Sequence, residues 1–275
     1  MSAIVRLQRA NHGSHFRAFS LRGAEVSERI DPFLGIDHAW MSRPTFPPHP
    51  HAGFSAISYV FLDSETGLDN RDSLGNRNLI LPGGLHWTAA GRGVVHEEVP
   101  AETGKTAHVL QIFVNLPRER QADNPFTLSL PPEDVPVVRL TGTKIRAPLG
   151  AYAAVRSPLT PPTEVSLLDI SLEQGSEVIV PVAAGHNAFV MPIHGTLMID
   201  GQRFTSEEPT LPAFPAGSSP SSITLQAQQG RTKAVLFAGL PLRQPIRWHG
   251  PMAMASASAL ASALAAYQRG EFGTL

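Results

Sequence analysis

The chain has no cysteine, so no disulfide, thiolate metal site or cysteine redox switch can operate in it. Charged residues make up 16% of the 275 residues and sum to a formal net charge of −1. That is below the usual quarter, and no basic stretch advertises a phosphate-binding surface, so direct nucleic-acid binding is not expected. No apolar run approaches the roughly 18 residues of a membrane span. The first 19 residues carry scattered arginines without an apolar core of signal-peptide length, which leaves the cytoplasm as the expected location.

What the chain does have is turn chemistry. It holds 23 Gly and 25 Pro alongside 42% hydrophobic residues, a balance that favours many short strands around a core over long helices. Alternating or apolar runs predict strands over 56–61, 94–96, 109–116, 165–172, 178–182, 188–193, 197–199, 223–226 and 233–237. Residues 1–30 read as one or two leading strands. Residues 117–162, with nine prolines, read as a junction between two β-rich halves. Residues 256–268 are rich in Ala and Leu and predict one helix, with Leu260, Leu264 and Tyr267 spaced for one packing face. The expected class is therefore all-β with a short C-terminal α-helix, in two domains, 1–130 and 131–275.

Chemistry concentrates in two short motifs, His49-Pro50-His51 and His96-Glu97-Glu98. Side chains two apart on a strand share a face, so each motif aims two groups at one point, and Glu97 falls on the opposite face as a solvated or paired carboxylate. Brought together, His49, His51, His96 and Glu98 form an N3O donor set. It suits Fe(II), Ni, Mn or Zn and leaves two positions open on an octahedral ion. Pro50 cannot donate to a ladder, which places the first motif at a strand start or a sheet edge. Phe54, Leu85, Trp87 and Phe113 are candidates for a pocket lining or for plain core. His86 is a candidate pocket residue, and His108 a candidate near the mouth. His12, His15 and His38 carry little information. In the second half, His186, His194 and His249 form no comparable pair and read as surface or hydrogen-bonded side chains.

The residues around these motifs resemble the pirin family. The likeness is dense in His49-Pro50-His51-Ala52-Gly53-Phe54, in Arg71-Asp72-Ser73-Leu74-Gly75-Asn76 and Pro82-Gly83-Gly84, and from Trp87 through Gly91-Arg92-Gly93 to Glu98. It continues in Leu110-Gln111-Ile112-Phe113-Val114-Asn115-Leu116, with a weaker echo in Ala238-Gly239-Leu240-Pro241-Leu242 and His249-Gly250-Pro251. The resemblance implies two antiparallel β-barrels of the cupin superfamily. The first would hold one iron through His49, His51, His96 and Glu98; the second would lack metal ligands. It further implies quercetin 2,3-dioxygenase activity, with O2 and a flavonol as substrates, CO as a product and Glu98 also serving as catalytic base. Ni, Mn, Co, Zn and Cu are alternatives to Fe(II). A metal- or redox-dependent interaction with a regulatory protein is the alternative role, and a monomer is expected. The chain departs from the family at two positions beside the first motif, with Ala52 where many pirins have Arg and Ser55 where they have Glu. Those changes are expected to remove two charges near the metal mouth.

Overall fold

A computed structural model describes residues 2–275. The chain divides into two compact units, each threaded from separate segments. One comprises Met1–Gln8, Leu21–Pro32 and Glu133–Pro241; the other comprises Arg9–Ser20, Phe33–Pro132 and Leu242–Leu275.

The first unit is built on a nine-stranded sheet. Its two long strands, Asn187–Ile199 and Ser221–Gly239, pair with each other, and their register shifts at three points between Pro192 and Met198. Such irregularities bend a strand. Each long strand absorbs two of the short ones expected from sequence, because the intervening polar residues, such as His194 and Gly195, form bends and not chain reversals. Inward residues including Ile145, Ile170, Val190, Leu197, Phe204 and Leu236 form the core. The helix Ala24–Ile30 also belongs here and was not expected; Val26 and Ile30, four apart, bury its one apolar stripe.

The second unit, which carries the histidine motifs, is a β-sandwich. A seven-stranded sheet runs in the order Phe126–Leu130, Leu85–Ala89, Phe54–Val60, Ala107–Asn115, Phe33–Met41, Phe16–Leu21, Gln8–His12. A four-stranded sheet runs His49–His51, Val94–Pro100, Leu68–Asp72, Arg77–Ile80. Ala39, Met41, Val60, Leu68, Ile80 and Val109 pack into one cluster between them. The sheets do not close into barrels as the resemblance implied; they are open sandwiches of the cupin kind.

The expected proline-rich junction is also replaced, by five strands between Phe126 and Arg156. Its prolines flank those strands, and Pro148, which lacks an amide donor, sits where the Thr143–Leu149 strand shifts register. The C-terminal helix spans Ala257–Gln268, capped by Ser256, whose hydroxyl accepts from the Ala259 amide. Ala263 is buried against Ala52, Val95, Met252, Met254 and Phe272, with Leu260 and Leu264 packed alongside.

Candidate metal centre

His49–His51 is the edge strand of the four-stranded sheet, which suits Pro50. It pairs antiparallel with Val94–Pro100, with His96 directly opposite His49 and Val94 opposite His51. Alternation puts His49, His51 and His96 on one face. Their ring centroids lie 4.7–4.8 Å apart, and one nitrogen from each lies within 4.8 Å of the others. Metal–nitrogen bonds of about 2.1 Å place ligand atoms on one ion about 3–4 Å apart, so this spacing is close to that of a coordination sphere.

The approach to this edge is set by close backbone contacts. Gly53 has φ +83, and a Cβ there would lie 1.9 Å from the Ala253 carbonyl oxygen. At Gly93, φ is +145, and a Cβ would lie 2.1 Å from the Phe272 ring. Only glycine fits either position. Asp72, opposite His96 across the other side of the strand, accepts from the Leu74 and Asn76 amides and so staples the turn that precedes Arg77–Ile80.

Tautomers follow from the partners. His49 Nδ1 donates to the Pro47 carbonyl at 2.9 Å, and His51 Nδ1 donates to the Pro251 carbonyl at 3.0 Å. A carbonyl only accepts, so both Nδ1 atoms carry the hydrogen, which leaves Nε2 as the nitrogen each ring can offer a metal. Imidazoles oriented by an outer hydrogen bond are the usual metal-ligand arrangement. His96 Nδ1 is buried and has no hydrogen-bond partner.

Burial drives the His51 imidazole down to about 3, with His49 adding to the effect and the Pro251 bond opposing it. Burial, then His51, His49 and His86, hold His96 well below the ordinary histidine value. Both are therefore neutral at neutral pH and ready to bind a cation. Three convergent imidazoles with no thiolate fit a first-row divalent metal, and the geometry by itself does not choose among them.

Glu98 follows two residues after His96 on the same strand, half-buried on the same face. The convergent group itself consists of the three histidines. Ser58 donates a short hydrogen bond to Glu98 Oε2. Burial raises the Glu98 carboxyl to about 7, against the lowering effect of that bond. Glu97, on the other face, pairs with Arg71 at 2.7 Å, one of the two fates expected for it.

Phe54 and Phe113 stand beside His51, with ring centroids 5.0 and 5.9 Å away, and Trp248 joins Phe54 at 5.9 Å. His86 is buried beneath the site. It receives a hydrogen bond from Asn70 on Nε2 at 3.2 Å and bonds Ser129 through Nδ1 at 2.9 Å, and burial lowers it to about 4. Trp87 and Leu85 alternate with His86 along the same strand, so both face the other side of the sheet. His108 bonds His38 at 2.7 Å and stacks on Trp40 in a buried group separate from the three histidines. Ala52 and Ser55 are both 0% exposed, so neither contributes to a rim around the site. Ser58, Asn70, Trp248 and the Pro251 carbonyl were not singled out from sequence. Ser58 alone left a signal, as the one polar residue on the face of its strand shared with Phe54, Ala56 and Val60.

Family models match at both ends of the chain: Pirin over residues 6–114 and Pirin C-terminal cupin domain over residues 167–273. Rat Pirin is 31% identical over 277 residues, covering 99% of this chain and 92% of that protein. The chain belongs to the pirin family. A Pseudomonas aeruginosa protein named "Putative quercetin 2,3-dioxygenase" is 29% identical, covering 95% of this chain and 93% of its own length. The crystal structure of quercetin 2,3-dioxygenase from Acinetobacter baumannii superposes with a TM-score of 0.86 at 24% identity, covering 100% and 99% of the two chains. That likeness establishes the fold. Among the described residues, no helix is long and apolar enough to cross a membrane.

Proposed function

We propose that this pirin holds one Fe(II) through His49, His51, His96 and Glu98, and that it is a flavonol dioxygenase which cleaves quercetin or a close analogue with O2 and releases CO. The observation that carries the reading is the convergence of three imidazoles, two of them oriented by hydrogen bonds from Nδ1 to the Pro47 and Pro251 carbonyls. The quercetin dioxygenase name of the bacterial relative supports the substrate class.

When bound, the metal supplies Lewis acidity toward the substrate's 3-hydroxyl and access to one-electron chemistry with O2. The protein's own part begins with Phe113 and Trp248, which are backed by the buried Phe54 and offer flat ring faces near His51 to an aromatic substrate. The apolar cluster of Phe54, Leu34 and Phe113 beside His51 excludes water from the reacting ring. Glu98 is the acceptor for the 3-hydroxyl proton, with its Oε2 held by Ser58. The two oxygen atoms of O2 are both retained in the ring-opened ester product.

The test is O2 uptake and CO release with quercetin, by protein reconstituted with Fe(II) beside the metal-free form. Iron-dependent turnover supports the assignment; protein holding one iron and consuming no O2 rejects it. The alternative, a metal-dependent partner for a regulatory protein, has less support, since Ala52 and Ser55 place no charge at the surface.

A further inference from the structure

We infer that Ser58 is a positioning residue: it occupies one oxygen of Glu98 and leaves the other as the oxygen through which the carboxylate joins a metal. The inference rests on the reading of Glu98 as a ligand.

Ser58 lies in the middle of the strand Phe54–Val60, on a face otherwise lined by Phe54, Ala56 and Val60. It is 1% exposed. A buried hydroxyl among apolar neighbours costs stability unless it is bonded, so its partners define its role. Two acceptors are in reach, Glu98 Oε2 and Gln111 Oε1, the latter at 3.0 Å. Gln111 cannot be turned around, because its Nε2 donates to the Ile57 carbonyl at 3.3 Å and its own carbonyl must then face Ser58. The hydroxyl thus has one hydrogen and two oxygen acceptors. A charged carboxylate is the stronger acceptor, so the hydrogen goes to Glu98 when that group is ionised.

The other carboxylate oxygen, Oε1, takes no hydrogen bond from the described residues. A ligating carboxylate is ordinarily fixed by such an outer partner, and loss of the partner typically costs about 10–100-fold in metal affinity. With Oε2 engaged, Glu98 contributes one donor atom, and two positions of an octahedral ion stay open for water or substrate. With Ser58 removed, Oε2 is free to bind as well and to take one of those positions.

The experiment compares wild type, Ser58→Ala, Ser58→Thr and Glu98→Ala, each loaded with Mn(II). Chelator competition gives the dissociation constant, water-proton relaxation gives the number of exchangeable waters on the ion, and thermal melting of the metal-free proteins reports folding. Ser58→Ala is expected to bind Mn(II) about 10–100-fold more weakly, to show fewer exchangeable waters, and to melt within a few degrees of wild type. Ser58→Thr, which keeps the hydroxyl, is expected to restore both metal readouts. Wild-type affinity and water count in Ser58→Ala, alongside lost affinity in Glu98→Ala, overturn the positioning role and leave Glu98 a ligand. Wild-type affinity in Glu98→Ala overturns the ligand reading itself.

Discussion

His96 stands directly across the antiparallel ladder from His49, and that single register places three imidazoles on one face of one sheet edge. A slip of one residue turns His96 to the opposite face while leaving every ladder bond available. The site therefore depends on the pairing of two strands as much as on the identities of the ligands.

Replacing any one of the three histidines is expected to empty the site. His96→Ala protein should retain less than a tenth of the wild-type Fe(II) after desalting, measured by elemental analysis, with O2 uptake falling in parallel. Full turnover from metal-free His96→Ala protein is the outcome that sinks the proposed chemistry.

Metal uptake should release a proton from Glu98 near neutral pH. Its carboxyl is raised to about 7 by burial, so at about pH 6 most of it carries a proton that must leave when a metal is bound. Calorimetry in buffers of different ionisation enthalpy measures this release. The difference between wild type and Glu98→Gln should be close to one proton at about pH 6 and close to none at about pH 8.5. An unchanged difference across that range contradicts it.

The metal-free protein should lose stability in acid. His51, His86 and His96 have folded values below the unfolded one, so their contribution is present above about pH 6.5 and is lost as the pH falls. Glu98 works the other way: its folded value is raised, and the stability it lends is complete below about pH 4.5 and lost as the pH rises through about 7. Three histidines against one carboxyl leave about two net protons between pH 4.5 and 6.5, or roughly 3 kcal/mol of stability lost per pH unit of acidification. Urea unfolding at several pH values checks the slope, and a flat profile refutes it.

Gly93→Ala is expected to destabilise the fold and loosen the site together. The added methyl would meet the Phe272 ring at 2.1 Å, at a φ of +145. Phe272 is tied down in turn through its carbonyl, which accepts from Ser73 Oγ at 2.5 Å, while Ser73 Oγ accepts from the Val95 amide beside His96. A loss of about 2–4 kcal/mol is expected by chemical denaturation, with weaker metal binding. Phe272→Ala, which removes the clash partner, should let alanine at 93 be tolerated better in the double variant than in the single one.

Phe113→Ala should separate substrate binding from metal binding. The ring is half-buried beside His51 but offers no ligand atom. Iron content should stay near wild type while KM for a flavonol rises; an unchanged KM removes the aromatic wall from the mechanism.

Several features were legible in the chain because they are local. The i, i+2 spacing of His49 and His51 and of His96 and Glu98 fixes which side chains share a face once a strand forms. Pro50 restricts its strand to an edge, and the Ala- and Leu-rich run with Ser256 before it specifies a capped helix. The absence of cysteine excluded thiolate donors. Other features depend on residues far apart in sequence, and no periodicity encodes them. Pro251, 200 residues from His51, fixes its tautomer. Ser58, 40 residues from Glu98, holds its carboxyl. The segment Leu242–Leu275 joins Phe33–Pro132 in one unit because the buried face of its helix and hairpin meets Ala52 and Val95 there. Local spacing determined which groups could act together; long-range strand register and packing decided that they do, because only folding fixes the distance between segments the chain leaves free.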